Sequence, residues 1–585
     1  MLAGVPHIPE SAPFSPEQRE WLNGFLAGLF SSAAAKMPAA EPVKVGVYFA
    51  TQTGTAERLA KKLTKQLKSQ GYAATSSSLD KVRLAEITQQ ENALFLVSTY
   101  GEGDPPDTAK TFRDALFTPD APAMTKLRYS VFCLGDKNYE SFCRFGVELD
   151  ERLKALGGTR LNSRVESDVD VDEPFAHWAE DVASRLGAKR PGPVLVERTD
   201  CHEEIRTDRE LMHTRDNPYF AELRERRALT ADGSTKMTMH LSFALEDAGL
   251  EYEAGDACGV VAQNDVALVE EIFSLLPFGT DAMVEIPKVG RVGVEEALLR
   301  HLQPTRLTRK IVQAFAEKAQ CRNLLALLPA EQGAHLEAFM HGRGLIDLLE
   351  EYPGVVESPD DLVAMLPRLA PRLYSIASSP KTHTGEVHCT IAVVRYRSHN
   401  RERGGVASTM LESRVDVGQR LPIYIQPNKR FRIPADGSTP MIMIGPGTGI
   451  APFRAFLHER RALGHKGSNW LFFGERRAKT DFLYEQELRE MFSSGHLTRL
   501  DTAFSRDQAQ KLYVQDRMLE HGAEMWRWLN DGAQLYVCGD ASRMAKDVDA
   551  ALHKVVETHG GMCTNAAREY VAQLHDHRRY HRDVY

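Results

Sequence analysis

The sequence predicts an α/β multidomain chain: a doubly wound domain, an antiparallel β-barrel split by a helical insertion, and a second domain of alternating strands and helices. The first is predicted because three apolar runs between residues 43 and 143 each end in a polar loop. The second follows from strand-like alternation on both sides of helical periodicity at residues 265–362. The third follows from the apolar run 440–444 before a glycine-rich turn. At about 150 residues per domain, the 585 residues fit about three to five domains.

Composition favours a globular protein and excludes several classes of function. The hydrophobic share of 43% and the charged share of 26% are ordinary for such proteins. The net charge of −8 disfavours nucleic-acid binding and permits docking to a basic partner. The eight cysteines include no CxxC pair, so neither a disulfide framework nor a metal site is expected. We therefore expect a cytoplasmic protein without a bound metal ion.

Residues 1–40 are predicted to form one amphipathic helix, which would mediate oligomerisation, and a linker from Lys36. The order Ser15-Pro16-Glu17-Gln18 is typical of a helix start, with an N-cap, a first-turn proline and a capping-box glutamine. The apolar run Trp21–Ala35 is shorter than the roughly 20 residues that span a bilayer. Its large apolar side chains share one helical face, and they are Trp21, Leu22, Phe25, Leu26, Leu29 and Phe30. That face packs either on the body of this chain or on a second copy.

The first polar loop, TQTGTAE at Thr51–Glu57, follows the apolar run that begins at Val43 and precedes a helical pattern. Hydroxyls and backbone amides at the start of a helix bind anions, and Gly54 permits close approach of the backbone. The loop lacks the lysine of a Walker loop, so a nucleoside triphosphate with magnesium is not expected. It suits the phosphate of flavin mononucleotide, although ordinary turns share this composition.

Two further loops end apolar runs in the same segment, STYGEGDPPD at Ser98–Asp107 and GDKNYESFC at Gly135–Cys143. In doubly wound folds such loops meet at the carboxyl edge of the sheet, where Tyr100 and Tyr139 can enclose a flavin ring. Over residues 41–187 these motifs resemble the flavodoxin domain of the diflavin reductases. The FMN-binding residues that this resemblance implies are Thr51, Gln52, Thr53, Gly54, Thr55, Ala56, Ser98, Thr99, Tyr100, Gly101, Leu134, Gly135, Asp136, Lys137, Asn138, Tyr139, Glu140, Ser141, Phe142 and Cys143.

An acidic run, ESDVDVDE at Glu166–Glu173, carries five acids and no base beside this edge. Such a run is either a solvated loop or a docking surface for a basic electron acceptor. Further acids at Glu102, Asp104 and Asp107 extend the negative face. Both interpretations stay open at this point.

A Pro/Gly-rich hinge is predicted after the first domain, within a linker at residues 188–202. Strand patterns then predict the first part of a barrel at residues 203–264, among them a strand pair at Tyr252–Val261. Helical patterns predict a connecting insertion at residues 265–362. The barrel is expected to resume over residues 363–437, where Val387–Tyr396 alternates as a strand.

Two motifs in the second barrel part predict a flavin dinucleotide site. RLYSIASSP at Arg372–Pro380 combines a forked cation for a diphosphate with a tyrosine that can lie against an aromatic ring. RGGVASTM at Arg403–Met410 places glycines and small residues at a helix start. Together they resemble the FAD-binding barrel of the ferredoxin-reductase type. The FAD-binding residues that this implies are Thr308, Arg372, Leu373, Tyr374, Ser375, Thr390, Ile391, Ala392, Tyr396, Gly405, Val406, Ala407 and Ser408.

The last domain, residues 438–585, is predicted to bind a nicotinamide dinucleotide. The strand PMIMI runs into GPGTGIAPFR at Gly445–Arg454, a strand-to-helix turn typical of a diphosphate site. Hydroxyl and basic residues at Ser505 to Tyr513 suit a 2′-phosphate, so NADPH is the expected cofactor. The residues that the resemblance implies are Gly447, Thr448, Ser505, Arg506, Lys511, Leu512, Tyr513, Val514, Gln515, Asp547 and Tyr585.

The resemblance also implies a hydride path. In diflavin reductases a serine, a cysteine and an acid surround it, which correspond to Ser375, Cys538 and Asp583. A carboxylate there favours the positive charge that nicotinamide gains as hydride leaves. Tyr585, the last residue of the sequence, is expected to cover the flavin ring and to move aside before nicotinamide stacks.

Longer stretches such as WLFFGERR, GAEMWRWLNDGAQLYVCGD and RRYHRDVY are similar to those of bacterial NADPH-dependent sulfite reductase flavoprotein α subunits, a branch of the diflavin reductases. This similarity implies hydride transfer to FAD, electron transfer through FMN, and a haemoprotein β subunit that reduces sulfite to sulfide. No cysteine cluster in this sequence can ligate an iron–sulfur centre for that last step. Two alternatives are a soluble diflavin reductase that serves another haem or cobalamin protein, and a flavin-binding scaffold without catalysis.

Overall fold

The structure is a computed structural model of the chain. It describes residues 8–9, 12–31, 42–51, 54–99, 103, 105–135, 142–168, 171–187, 213–246, 249–329 and 332–585, without the side chains of 24–31 and 107. Most of the predicted linkers, at residues 36–42 and 188–202, lies outside these residues. Across the described residues, no helix is both long and apolar enough to cross a membrane.

The N-terminal helix α1 covers Pro16–Ser31. Its predicted capping box is confirmed, because the Gln18 N–H donates to Ser15 Oγ at 3.2 Å and the Ser15 N–H donates to Gln18 Oε1 at 3.0 Å. Trp21 exposes 68% of its surface. The other members of the predicted apolar face, beyond Leu22, lie outside the described side chains.

The first domain is a parallel sheet with helices on both faces. Its strands lie in the order β2-β1-β3-β4-β5, and β6 also pairs with β4. Two apolar clusters, one on each face, bury the strands on both sides. The elements are β1 Lys44–Ala50, α2 Thr55–Ser69, β2 Ala73–Ser78, α3 Leu84–Ile87, β3 Asn92–Ser98, α4 Lys110–Leu116, β4 Arg128–Leu134, α5 Arg144–Ala155, β5 Thr159–Arg160, β6 Val165–Ser167 and α6 Asp172–Arg185.

The second domain begins as antiparallel strands and is then interrupted. Its first strands are β7 Tyr219–Ala228, β8 Thr238–Ala244 and β9 Ala257–Val260. Instead of the strand pair predicted at Tyr252–Val261, only β9 forms. The preceding residues make a turn, in which the Glu253 N–H donates to Asp256 Oδ2 at 2.9 Å and the Asp256 N–H donates to the Glu253 carbonyl at 3.0 Å. This local bonding satisfies backbone groups that a strand would otherwise pair.

The predicted helical insertion is present and has its own apolar core. It also contains a short hairpin, β10–β11, that sequence periodicity missed because four-residue strands carry too little pattern. Its elements are α7 Val266–Phe273, β10 Met283–Ile286, β11 Gly290–Gly293, α8 Val294–Glu296 with a π-helical extension over Ala297–His301, α9 Arg309–Lys318, α10 Arg322–Leu327, α11 Gly333–Met340, α12 Leu345–Glu351 and α13 Pro359–Met365.

The sheet resumes with β12 Arg372–Ser375, β13 Glu386–Ala392, the hairpin β14 Arg395–Ser398 and β15 Arg401–Gly404, α14 Val406–Thr409 with a π-helical extension over Met410–Arg414, and β16 Arg420–Gln426. The strand order is β12-β9-β16-β7-β8-β13. Among the described residues the two end strands meet only through the isolated bridge between Ile376 and Cys389. The predicted barrel is therefore an antiparallel sheet that curls until its ends touch, without a continuous closing strand pair.

The last domain is a five-stranded parallel sheet in the order β19-β18-β17-β20-β21. Its elements are β17 Met441–Ile444, α15 Ile450–Ala462, β18 Asn469–Glu475, α16 Ala478–Asp481, α17 Glu485–Ser493, β19 Arg499–Phe504, α18 Val514–Glu520, α19 Gly522–Asn530, β20 Gln534–Gly539, α20 Met544–Gly560, α21 Thr564–Asp576 and β21 Tyr580–Val584. The carboxyl end of this sheet faces the antiparallel domain, since Asp583 of β21 contacts Ser375 of β12.

Candidate functional site

The residues before α2 form a tight turn at the carboxyl end of β1. The Gly54 N–H donates to Thr51 Oγ1 at 2.9 Å, and the Thr51 N–H donates to Thr108 Oγ1 at 3.0 Å. Gly54 has φ +91° and nothing within 4 Å of the position of a Cβ atom, so the turn needs glycine for its conformation. Thr55 and Ala56 are the first residues of the helix. Predicted residues Gln52 and Thr53 lie outside the described part of the chain.

The ends of β3 and β4 lie beside this turn. The Thr99 N–H donates to the Leu134 carbonyl at 2.9 Å, and the Gly135 N–H donates to the Ser167 carbonyl at 3.0 Å. Thr99 Oγ1 is buried without a hydrogen-bond partner, which is the kind of orphaned hydroxyl that a polar ligand would satisfy. These residues therefore fit a flavin phosphate or ring. Predicted residues Tyr100, Gly101, Asp136, Lys137, Asn138, Tyr139, Glu140 and Ser141 lie outside the described residues.

The remaining predicted residues of this edge belong to the wall beneath the loops. Ser98 Oγ donates to the Ala50 carbonyl at 3.3 Å. Leu134 and Cys143 are buried in the apolar core, and Phe142 packs against it. In the acidic run, Glu166 pairs with Arg164 at 2.8 Å and Asp172 pairs with Arg58 at 3.4 Å. Part of the predicted negative face is thus locally neutralised.

A cavity of about 470 Å³ opens where the resumed sheet meets the helical insertion. Eight predicted FAD residues line it, namely Arg372, Tyr374, Ala392, Tyr396, Gly405, Val406, Ala407 and Ser408. Burial raises the pKa of Tyr374 above its ordinary value. The hydroxyl of this tyrosine therefore stays protonated at neutral pH. The cavity joins the RLYS and GGVAS motifs in one site, with a cation and small residues on its wall.

The GGVAS loop is fixed by its own hydrogen bonds and by an arginine. The Gly405 N–H donates to the Val394 carbonyl at 2.9 Å, and the Val394 N–H donates to Ser408 Oγ at 3.2 Å. These bonds end β13 before Val394, so the strand predicted over Val387–Tyr396 is two strands. Arg414 donates to the carbonyls of Val406, Gln263 and Asn264 at 2.7 to 3.0 Å. The loop is thereby anchored to the sheet.

Sequence reasoning missed the wall that the helical insertion supplies. Gln303, Thr305, Arg306 and Arg343 line the cavity, yet no motif marks them. Gln303 Oε1 is buried without a partner, and Gln303 Nε2 donates to Thr305 Oγ1 at 2.9 Å. An orphaned amide oxygen on the wall fits a ligand with hydrogen-bond donors, as an adenine nucleotide has.

Five predicted FAD residues do not line this cavity, and one of them, Ser375, contacts Asp583 instead. Thr308 instead caps α9, where its hydroxyl accepts from the Ile311 N–H at 3.4 Å. Thr390 Oγ1 lies 2.7 Å from the Tyr484 hydroxyl, Ile391 is buried in the core, and Leu373 is 49% exposed. Alternation along a strand sends neighbouring side chains to opposite faces, which explains why only part of each motif reaches the cavity.

The dinucleotide turn follows β17 and packs against the end of β20. A Cβ at Gly449 would collide with the carbonyl oxygen of Cys538, so the glycine permits the two backbones to approach. The glycine turn and the residues after β19 lie on the same sheet edge. The Ser505 N–H donates to the Glu475 carbonyl at 2.9 Å, while the side chains of Arg506 and Lys511 are exposed. Two accessible cations beside a hydroxyl fit a phosphate group.

The other predicted dinucleotide residues have mixed positions. Tyr513 is 44% exposed, and Val514 is buried. Leu512 packs against the same apolar core as Val514. Gln515 Nε2 donates to Asp547 Oδ2 at 3.5 Å, which links α18 to α20. Leu512 and Val514 therefore anchor the loop between β19 and α18 to the apolar core.

The antiparallel domain adds a lysine to this edge that sequence reasoning also missed. Lys236, just before β8, pairs with Glu475 at the end of β18. Burial lowers the pKa of Lys236 to about 8, with Arg476 adding to the effect. Nearby, Ser234 Oγ donates to Asp481 Oδ1 at 2.5 Å. Polar contacts across the two domains thus accompany the contact at Asp583.

The predicted hydride-path residues converge where β12, β20 and β21 meet. Ser375 Oγ donates to Asp583 Oδ2 at 2.8 Å, and the Cys538 thiol donates to the same oxygen at 3.9 Å. Burial raises the pKa of Asp583, while these two hydrogen bonds oppose that shift. Burial, with Asp583 nearby, raises the pKa of Cys538 well above its ordinary value, so the thiol remains a hydrogen-bond donor. Two side chains from distant segments, on β12 and β20, therefore donate to one carboxylate on β21.

Comparison with known protein families identifies the three domains that form these sites. The chain matches the family described as Flavodoxin over residues 47–178, the FAD binding domain over 212–410 and the Oxidoreductase NAD-binding domain over 443–550. These matches confirm the predicted order of the three domains. They also indicate FMN, FAD and a nicotinamide dinucleotide as the cofactors.

Relatives extend the match over nearly the whole chain. A sulfite reductase (NADPH) flavoprotein alpha-component from Bacillus subtilis (strain 168) is 40% identical, over 97% of this chain and 95% of the relative. Proteins of the same name from Escherichia coli O9:H4 (strain HS) and Yersinia pestis bv. Antiqua (strain Antiqua) are each 40% identical over 98% of this chain, and over 95% and 96% of their own lengths. With the three domains in order and this identity over their full span, the chain belongs to the family of sulfite reductase (NADPH) flavoprotein alpha-components.

Proposed function

We propose that this chain is the flavoprotein component of an NADPH-dependent sulfite reductase, which delivers electrons to a haemoprotein β subunit that reduces sulfite to sulfide. When bound, FAD accepts a hydride from NADPH and FMN passes single electrons onward. The observation that carries the proposal is the contact of Ser375 and Cys538 with Asp583. It supports hydride transfer because it joins the FAD-binding sheet to the dinucleotide-binding sheet at one carboxylate.

The residues of this contact have separate roles in the proposal. Asp583 supplies negative charge where nicotinamide becomes cationic, and Ser375 orients that carboxylate through its hydroxyl. Cys538 contacts the same carboxylate as a neutral thiol donor. Tyr585 covers the flavin side of the site and moves aside for nicotinamide.

The other predicted site residues would bind the three cofactors. Thr51, Gly54 and Thr99 would hold the FMN phosphate and ring edge, and the cavity around Arg372 and Tyr374 would hold FAD. Ser505, Arg506 and Lys511 would bind the 2′-phosphate of NADPH. The accessible guanidinium and ammonium groups of the last two support that assignment.

We also propose the domain limits, the self-association and the partner subunit that the sequence predicts. The limits are 1–40, 41–187, 188–202, 203–264, 265–362, 363–437 and 438–585. The protein would be cytoplasmic, and α1 would mediate self-association. The names of the relatives support the partner, because an alpha-component implies a second component.

The test combines spectroscopy with reconstitution. The purified chain should contain both FMN and FAD, reduce a one-electron dye with NADPH, and release sulfide from sulfite only when a sirohaem-containing β subunit is added. Ser375→Ala should slow dye reduction without loss of either flavin. Dye reduction that proceeds normally while the β subunit receives no electrons would favour the alternative, a diflavin reductase for another haem or cobalamin protein.

A further inference from the structure

Asn428 lies in the loop after β16 and contacts the oxygen of the Asp583 carboxylate that Ser375 does not contact. Its Nδ2 donates to Asp583 Oδ1 at 3.4 Å, whereas Ser375 and Cys538 both donate to Asp583 Oδ2. Each oxygen of this carboxylate therefore has a donor. No motif of the sequence marks Asn428, and it adds a fourth side chain to the cluster.

The Asn428 loop is held in place independently of that side chain. The Asn428 N–H donates to Asp256 Oδ1 at 2.8 Å, and the Phe431 N–H donates to the Asn428 carbonyl at 3.1 Å. Asp256 is buried and pairs with Arg432. The Asp256 carbonyl in turn accepts from the Ile376 N–H at 3.0 Å, next to Ser375. One buried aspartate thus positions both the Asn428 loop and the end of β12, where Ser375 lies.

A donor on the second oxygen has two physical effects. It restrains rotation of the carboxyl group, so that Oδ2 keeps facing Ser375. It also favours the ionised form, because an amide N–H stabilises a carboxylate more than a neutral acid. The titratable groups around Asp583 are Cys538 on β20 and Tyr585 beyond β21, and Asp256 and Arg432 lie behind Asn428.

We propose that Asn428 is a positioning residue of the hydride path, which holds the Asp583 carboxylate in the orientation that Ser375 requires and in its ionised form. This inference rests on the proposed hydride transfer. Asn428 acts through Asp583 and is not itself in contact with the reacting atoms. Its effect should therefore be seen in the protonation behaviour of Asp583 rather than in cofactor content.

The test measures the rate of FAD reduction by NADPH against pH, by rapid mixing without oxygen. Asn428→Ala keeps the backbone bond to Asp256, so the loop should persist. We expect the acid limb of the profile to move to higher pH and the rate at pH 7 to fall about tenfold, which corresponds to about 1.4 kcal/mol of activation free energy. Asn428→Asp should move the limb further, since a second carboxylate faces the first. Asn428→Gln, which retains an amide, should recover part of the rate.

The controls separate positioning from a merely structural role. Lys429→Ala removes an exposed neighbouring side chain and should leave the profile unchanged. FAD content and melting temperature should be close to those of the unmodified protein in all four variants. An acid limb that stays at the same pH in both the alanine and the aspartate variants would overturn the proposal. An unmodified protein whose FAD is not reduced by NADPH would instead overturn the proposed function.

Discussion

The hydroxyl of Tyr585 lies 2.7 Å from Thr448 Oγ1, so the last residue of the sequence is hydrogen-bonded to the dinucleotide turn. The Tyr585 N–H also donates to the Gly539 carbonyl at 3.0 Å, and the Ala541 N–H donates to the Tyr585 carbonyl at 3.1 Å. The side chain is nevertheless 51% exposed. The backbone is therefore fixed while the ring is held by one hydroxyl contact, which suits a ring that moves when nicotinamide binds.

Replacement of Tyr585 by alanine should strengthen binding of both NADPH and NADH. In the proposed function the ring competes with nicotinamide for the flavin face, so its removal should favour the stacked pose. Hydride transfer need not accelerate, because release of the oxidised cofactor can become limiting. The measurement is the affinity for each nicotinamide together with the rate of flavin reduction by NADH.

Tyr585→Phe is the matched control for that variant. It keeps the ring and removes only the hydrogen bond to Thr448, so its affinity should lie between those of the unmodified protein and the alanine variant. Unchanged affinity of the alanine variant for both nicotinamides would show that Tyr585 does not cover the flavin.

Replacement of Arg506 by alanine should reduce the preference for NADPH over NADH. Its guanidinium is exposed, and a hydrogen bond from a cation to phosphate contributes about 1.5–3 kcal/mol. The ratio of kcat/KM for the two cofactors measures the change. Lys479→Ala, which removes an exposed cation of α16, should leave the ratio intact. Equal use of NADPH and NADH by the unmodified protein would contradict the 2′-phosphate assignment.

Local sequence predicted the parts of the molecule that depend on neighbouring residues. The Ser15–Gln18 capping box, the GGVAS turn and the strand-to-helix turn at Gly449 all form within a few residues of one another. Hydrogen-bond geometry over such short spans follows from residue type, so a motif is enough to predict it. The order of the three domains could also be predicted, because each domain contains at least one such local motif.

The missed residues have roles that arise only from distant contacts. Gln303 lies on the wall of a cavity formed with residues some 70 to 100 positions later. Asn428 meets Asp583 across 155 positions, and Lys236 meets Glu475 across 239. An asparagine, glutamine or lysine in a loop carries no periodic signal. Their functions therefore become visible only when the sheets are assembled.

Deletion of residues 1–40 should lower the oligomeric state without affecting NADPH oxidation. Trp21 is 68% exposed on α1, and a helix with a large apolar face is stable in water mainly when that face is covered. The mass in solution, measured by light scattering, tests this. Trp21→Glu in the full chain offers a smaller change that should act in the same direction. Identical masses for the truncated and full-length chains would contradict self-association through this segment.

A histidine cluster fills the contact between the antiparallel domain and the last domain. His240 and His388 are buried, with ring centroids 4.8 Å apart, and His383 lies 4.4 Å from His388. Arg454 of α15 faces them and donates to Glu487 of α17 at 3.0 Å. Other polar neighbours include His458, Tyr484, Arg227, Glu225 and Glu386.

Burial and the nearby cations hold these histidines neutral. Burial, followed by the neighbouring His388 and Arg454, lowers the pKa of His240 to about 2. Burial is also the main cause that lowers the pKa of His383 and of His388 to about 3. Hydrogen bonds and cations around Glu487 lower its pKa to about 2 against the opposing effect of burial. The folded cluster therefore resists protonation throughout the mildly acidic range.

The free energy of unfolding should fall as the pH drops below about 6.5. There the unfolded chain binds protons at these histidines, whose ordinary pKa is about 6.5, while the folded cluster remains unprotonated until about pH 3. Because the unfolded state binds more protons, stability decreases with falling pH, and Glu487 adds a loss of the same sign below about pH 4.5.

Denaturant unfolding between pH 7.5 and 5, followed by FAD fluorescence, measures the slope of unfolding free energy against pH. His388→Gln removes one titrating group and should flatten the slope, whereas the exposed His335→Gln should not. Equal slopes for the unmodified protein and His388→Gln would show that the cluster does not control acid stability.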